Sequence, residues 1–186
     1  MICGGSKYRC RELSDELNEL KRVGPAEWAK IVLQWEEQTN SYSENFVDHA
    51  PASMPVLEEL ATSAPLRDAG VYSYADKDEV LAILQANVAL LPGYSGRVLR
   101  IRHIVLSPKY EFDDKIELDD YGSALVGVFA GTLVLSVKDM IAPHIKFHLR
   151  SPAERMFGEE FTKVLQNSGV FKECAMKGSR IYLSKT

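Results

Sequence analysis

A chain of 186 residues, 46% hydrophobic and 26% charged, has the composition of a soluble globular protein that buries its core without disulfides or metals. The net charge of −4 hides an asymmetry: residues 1–96 carry 8 Lys and Arg against 15 Asp and Glu, while residues 97–186 carry 14 against 11. That balance is too mild for a dedicated nucleic-acid domain, and it suits two segments with different partners or two faces that dock on each other.

The N-terminus, Met1-Ile2-Cys3-Gly4-Gly5, lacks the charged-then-apolar plan of a signal peptide, and Ile2 stands where myristoylation needs glycine. Three cysteines (Cys3, Cys10, Cys174) without a zinc-like spacing predict a reduced, intracellular protein, cytoplasmic or nuclear, with no metal. Residues 8–38 read as two helical pieces. Leu13, Leu17 and Leu20 form a narrow apolar stripe, Gly24-Pro25 closes one helix and opens the next, and Trp28, Ile31, Val32 and Trp35 line the second. Tryptophans so spaced are core or interface anchors, because each ring hides a large area. A polar connector follows at 39–55, a short helix at 56–63, and another connector at 64–76. Asp76 then caps an expected helix from Lys77 to Leu91 with Val80, Leu81, Leu84, Val88 and Leu91 as its apolar face. Pro92 and Gly93 break it.

From Arg97 the pattern changes. Val98–Leu106 predicts a strand carrying Arg100 and Arg102 two residues apart. The acidic loop from Glu111 to Asp120 lacks the plan of a calcium loop and reads as helix capping by Asp119 or Asp120. A helix is favoured over 121–137, its glycines allowing close approach to a sheet, with strand propensity at 132–137 leaving a change to strand near 132 open. The apolar run from Ala124 to Val137 falls short of the roughly 18 residues a membrane span needs.

Residues 142–150 alternate strictly, with His144, Lys146, His148 and Arg150 on one face and Ile145, Phe147 and Leu149 on the other, which is the period of a half-buried strand. Ser151-Pro152-Ala153-Glu154 is a capping box opening a helix that Ser168-Gly169 ends. Residues 170–176 and 180–184 pair as a hairpin. The fold expected is α+β or α/β: a helical arm with connectors over 1–96, then a compact β-α-β-α-β-β unit with a mixed sheet over 97–186, both parts of one integrated domain.

If the two strands are neighbours, Arg100, Arg102, Lys146, His148 and Arg150 share one face. The expectation for that face is that its cations pair with the acidic first half; a protein-binding surface and RNA or phosphate binding are the alternatives. Phe147 points away from it, so the strand at 142–150 offers no base-stacking aromatic of the kind RNA-recognition sheets use. His49, His103, His144, His148 and Cys174 are ingredients of nucleophilic catalysis, but no nucleophile elbow or glycine-rich phosphate loop accompanies them.

Ile104-Val105-Leu106-Ser107-Pro108-Lys109-Tyr110, together with Ser151-Pro152-Ala153-Glu154-Arg155-Met156-Phe157 and Ser168-Gly169-Val170-Phe171, resembles the second half of the GNAT acetyltransferase fold. The resemblance covers at most residues 97–186 and would imply coenzyme A as cofactor. Where that family holds the coenzyme's pyrophosphate on a glycine-rich segment, this chain has Phe112-Asp113-Asp114-Lys115-Ile116-Glu117-Leu118-Asp119-Asp120. Its five carboxylates would repel the anion, implying a non-catalytic descendant without cofactor. The leading expectation is therefore a non-enzymatic intracellular adaptor or scaffold within a larger assembly. Trp28, Trp35, Leu17 and Leu20 would contact another protein or a second copy of the chain, with no membrane partner and nucleic acid a lesser alternative. A coenzyme A-dependent acyltransferase and an RNA or phosphate binder stand as alternatives.

Overall fold

The protein was analysed as a computed structural model that describes residues 19–186. Its elements run β1 (Lys21–Val23), α1 (Pro25–Ser41), a 3-10 turn (Phe46–Asp48), α2 (Met54–Thr62), β2 (Ala69–Asp76), β3 (Glu79–Leu90), β4 (Arg97–Leu106), α3 (Lys109–Phe112), α4 (Leu118–Leu135), β5 (His144–His148), α5 (Pro152–Ser168), β6 (Phe171–Lys177) and β7 (Arg180–Lys185). All seven strands among the described residues join one mixed sheet in the order β1-β2-β3-β4-β5-β7-β6. Every pairing is antiparallel except β4 with β5, which run parallel through the crossover that contains α4. The fold is α+β.

Over its described residues, the first half is not a helical arm. Residues 69–76, expected as a connector, are β2, and residues 79–90, expected as a helix, are β3. The physical reason is the position of β3 inside the sheet. Its Ala82, Leu84, Ala86 and Val88 face one core and its Ile83 the other, so apolar residues occur on both faces and the period of two is hidden. The β2–β3 turn is tight, with Lys77 in the left-handed region at φ 55°. Lys21–Val23, expected to end the first helical piece, pairs with β2 as an edge strand.

Two cores lie on opposite faces of the sheet. On one, α1 and α2 pack Trp28, Ile31, Trp35, Leu57 and Ala61 against Val23, Val71, Ile83 and Val105. On the other, α4 sets Leu125, Val128 and Phe129 against Leu84, Leu99, Ile101, Ile145 and Phe147. Phe157 and Phe161 of α5 stack on Phe129. Gly127 lets α4 come down on β2, since a methyl group there would overlap the ring of Tyr74. By length and composition α4 is also apolar enough to cross a membrane. In this fold the apolar side is core.

Helix ends follow local chemistry. Ser151 Oγ accepts the Glu154 N–H at 3.0 Å, and Gly169 closes α5 in the left-handed conformation at φ 68°. At α4 the N-cap is Glu117 rather than Asp119 or Asp120, which fall in the first turn; the Glu117 N–H donates to the Asp120 carboxylate at 3.1 Å.

A candidate anion-binding site

The helical layer formed by α1 and α2 covers only the β1–β4 side of its sheet face. Beyond it, the polar sides of β4, β5 and β7 lie uncovered by that core and frame a cavity of about 330 Å3. Its lining consists of Arg100, Ile101, Arg102, His103, Lys146, His148, Arg150 and Arg180.

Register explains the convergence. Parallel pairing sets Arg100 beside Lys146, and antiparallel pairing sets Lys146 beside Tyr182 and His148 beside Arg180. All five residues expected to share the basic face, Arg100, Arg102, Lys146, His148 and Arg150, line this one cavity. Trp28, Trp35 and Leu20, expected to anchor a partner, are instead buried in the chain's own cores, and Trp35 is fully inaccessible, its Nε1–H donating to the Val80 carbonyl at 3.0 Å. They leave no ring or side chain for a partner to grip. Leu17 lies outside the described residues.

Three contributors were not singled out from sequence as members of this face. Arg180 and Tyr182 come from β7, whose alternation with Ile181 and Leu183 is the same signal that identified β5. His103 is different. Regular alternation would turn it into the α4 core, but β4 bulges there: Gln85 pairs with Arg102 while Ile83 pairs with Val105, so two β4 residues oppose Leu84 alone. His103 takes φ 48°, a strained conformation for a residue with a side chain. The extra residue brings Arg102 and His103 together onto the cavity and restores Ile104 and Val105 to their respective cores.

β4 and β5 pair only from Val98 with His144 to Ile101 with Phe147. Past that point side chains bridge the gap. Arg150 Nη1 lies 2.9 Å from His103 Nδ1 and 3.1 Å from Ser53 Oγ, and Ser53 Oγ is 3.1 Å from His103 Nδ1. Guanidinium only donates, so Nδ1 accepts and the imidazole carries its proton on Nε2. Ser53 sits at the N-terminus of α2 and ties the helical layer to the rim of the cavity.

The electrostatics are one-sided. Among the described residues, Arg100, Arg102, Lys146, Arg150 and Arg180 form no ion pair with a carboxylate, and no carboxylate lines the cavity. The expected pairing with the acidic first half occurs elsewhere, in Arg97 with Asp68 and Lys109 with Glu79 at 2.7 Å. Glu154 accepts the Arg150 and Ser151 backbone N–H groups; burial pushes its carboxyl above the usual range, against the pull of those hydrogen bonds and of the Arg150 charge. Desolvation, then the guanidinium of Arg150, holds His103 below the ordinary histidine value; desolvation, then Arg180 and Arg150, does the same to His148.

This sets a pH dependence. The unfolded chain binds protons at these histidines before the folded one does, so folding stability is full above about pH 6.5 and is lost as pH falls through that value toward the lower folded pKa values. Thermal melts between pH 8 and 5.5 should show this loss. Saturating sulfate should reduce it, because an anion between Arg100, Arg102, Lys146, Arg150 and Arg180 offsets the repulsion felt by the imidazolium forms. His148→Gln should flatten the profile.

Chemically the cavity suits oxyanions: guanidinium forks and an ammonium group supply donors, and the neutral rings add N–H donors. A metal cation would be repelled, and among the described residues no cluster of three His, Cys, Asp or Glu is placed to hold one. Comparison with known proteins adds no family: no family model matches the chain, and no curated protein matches it.

Proposed function

We propose that the protein binds a small ligand bearing a phosphate-type oxyanion in the cavity between β4, β5 and β7. One observation carries this reading: five cationic side chains converge on a cavity that no carboxylate lines among the described residues. Like charges directly opposite each other across strands destabilise a sheet, and Arg100 beside Lys146 is such a pair. An anion relieves the repulsion. The volume lies at the lower end of the range for small-molecule sites.

Calorimetric titration with inorganic pyrophosphate tests it. Binding should be saturable and one-to-one, should weaken as salt rises from 50 to about 500 mM because screening shortens the reach of each charge, and should vanish in Arg102→Glu combined with Arg180→Glu. Absence of binding at low salt would sink the proposal.

We also propose reading residues 97–186 as a β-α-β-α-β-β unit, with α3 as part of the β4–α4 connection; the succession β4, α4, β5, α5, β6, β7 supports this. Coenzyme A-dependent acyl transfer finds less support. Glu117, Asp119 and Asp120 crowd the N-terminal turn of α4, where the resemblance would place the coenzyme's pyrophosphate.

A further inference from the structure

Building on the anion reading, we propose that the ligand is a nucleoside phosphate, its phosphate in the arginine cavity and its base on an aromatic platform beside it. The platform lies on the same open sheet face. Tyr182 is the register partner of Lys146, which lines the cavity, and the Lys146 ammonium sits 5.0 Å from its ring centre. Lys177 approaches the same ring at 5.7 Å from β6. Next to Tyr182 on the platform, Tyr94 packs edge-on against His144 with ring centres 5.1 Å apart, and His144 is held by Ser184 at 2.9 Å.

The face is polar along the strands. At the end marked by Arg102, Arg150 and Arg180 the charged side chains lining the cavity are all cations, and Arg100, Lys146 and Tyr182 form the next row across the sheet. Beyond that row lie Tyr94 and His144, with the Glu173 carboxylate 3.5 Å from Ser184 Oγ. A carboxylate there repels a phosphate and accepts the exocyclic N–H of a base. Tyr182 stands two positions along β7 from Arg180, about 7 Å in a strand, which is the scale of a single nucleotide. The aromatic that β5 lacks on this face, because Phe147 is core, comes from the neighbouring strand. Lys146 and Lys177 already cover the Tyr182 ring, as cations do on an aromatic face; on binding, a base takes that place and the ammonium groups turn to the phosphate.

The shared chemistry has two sources, a free nucleotide or a nucleotide unit of a single strand. The test titrates the full chain with ADP, inorganic pyrophosphate and a fluorescein-labelled single-stranded octanucleotide. ADP or the octanucleotide should bind at least about tenfold tighter than pyrophosphate, the scale of one base stacked on an aromatic ring. Tyr182→Ala should remove that advantage and leave pyrophosphate binding unchanged; Tyr182→Phe should keep it, with melting curves confirming that both variants fold. ADP binding as tightly as the octanucleotide assigns a free nucleotide, and preference for the octanucleotide assigns a strand. Equal affinity for pyrophosphate, ADP and octanucleotide, or a nucleotide preference indifferent to Tyr182→Ala, would overturn the nucleoside assignment and leave the anion reading standing. Failure of all three probes to bind would overturn both.

Discussion

Arg102→Ala combined with Arg180→Ala should make the ligand-free protein more stable and abolish its response to anions. Each of these guanidinium groups faces other cations across a strand or across the cavity, and among the described residues neither has a carboxylate to offset the repulsion. Removing two of five cations relieves a like-charge penalty of roughly 0.2–1 kcal/mol per opposed pair. The sign is unusual, since most substitutions destabilise. In the parent protein, pyrophosphate at a hundred times its dissociation constant should add about 2.7 kcal/mol of stability by mass action; the double variant should gain nothing. Urea unfolding with and without pyrophosphate measures both effects. A double variant less stable than its parent would show that the cations are satisfied within the fold, against the reading of a site kept charged for a ligand.

Trp35→Ala should cost about 3–5 kcal/mol, the range for deleting a fully buried aromatic side chain. The ring sits edge-on to His49 at 5.6 Å, next to Leu57 and Ile83 in the core between α1, α2 and the sheet. Its Nε1–H is the donor to the Val80 carbonyl, so truncation removes that hydrogen bond as well as opening a cavity. Because β2, β3 and β4 carry both cores, the loss should be felt by the whole cooperative unit. Chemical denaturation checks it: a single transition shifted to lower denaturant is expected, whereas a second transition would mark residues 97–186 folding independently.

What the sequence disclosed depended on how many faces of an element meet water. β5 has one buried and one open face, so His144, Lys146 and His148 alternated with Ile145 and Phe147 and its register could be read directly. Ser151, Pro152 and Glu154 announced α5 because capping is a local interaction between residues three apart. β3 showed the opposite behaviour. Packed between α1 and α4, it needs apolar residues on both faces, and Val80, Leu81, Leu84 and Val88 fit a helical stripe by accident, with Ala82, Gln85 and Ala86 adding helix propensity. The same limit divided the site. Arg100, Arg102 and the β5 stripe could be grouped from alternation, and Arg180 and Tyr182 could have been found by carrying that alternation into β7. His103 could not, because its place rests on a one-residue bulge that only pairing with Leu84 reveals.

The bridge of Ser53, His103 and Arg150 also has a thermodynamic meaning. Its members come from the start of α2, the later part of β4 and the segment just past β5, separated by 50 and 47 residues along the chain. Contacts so distant close large loops and form only when the β4–β5 crossover and the α2 layer are both in place. A ligand that needs this rim complete recognises only the finished chain. Its binding free energy therefore adds to global stability and leaves local fraying untouched. Occupancy of the cavity is in this sense a readout of complete folding.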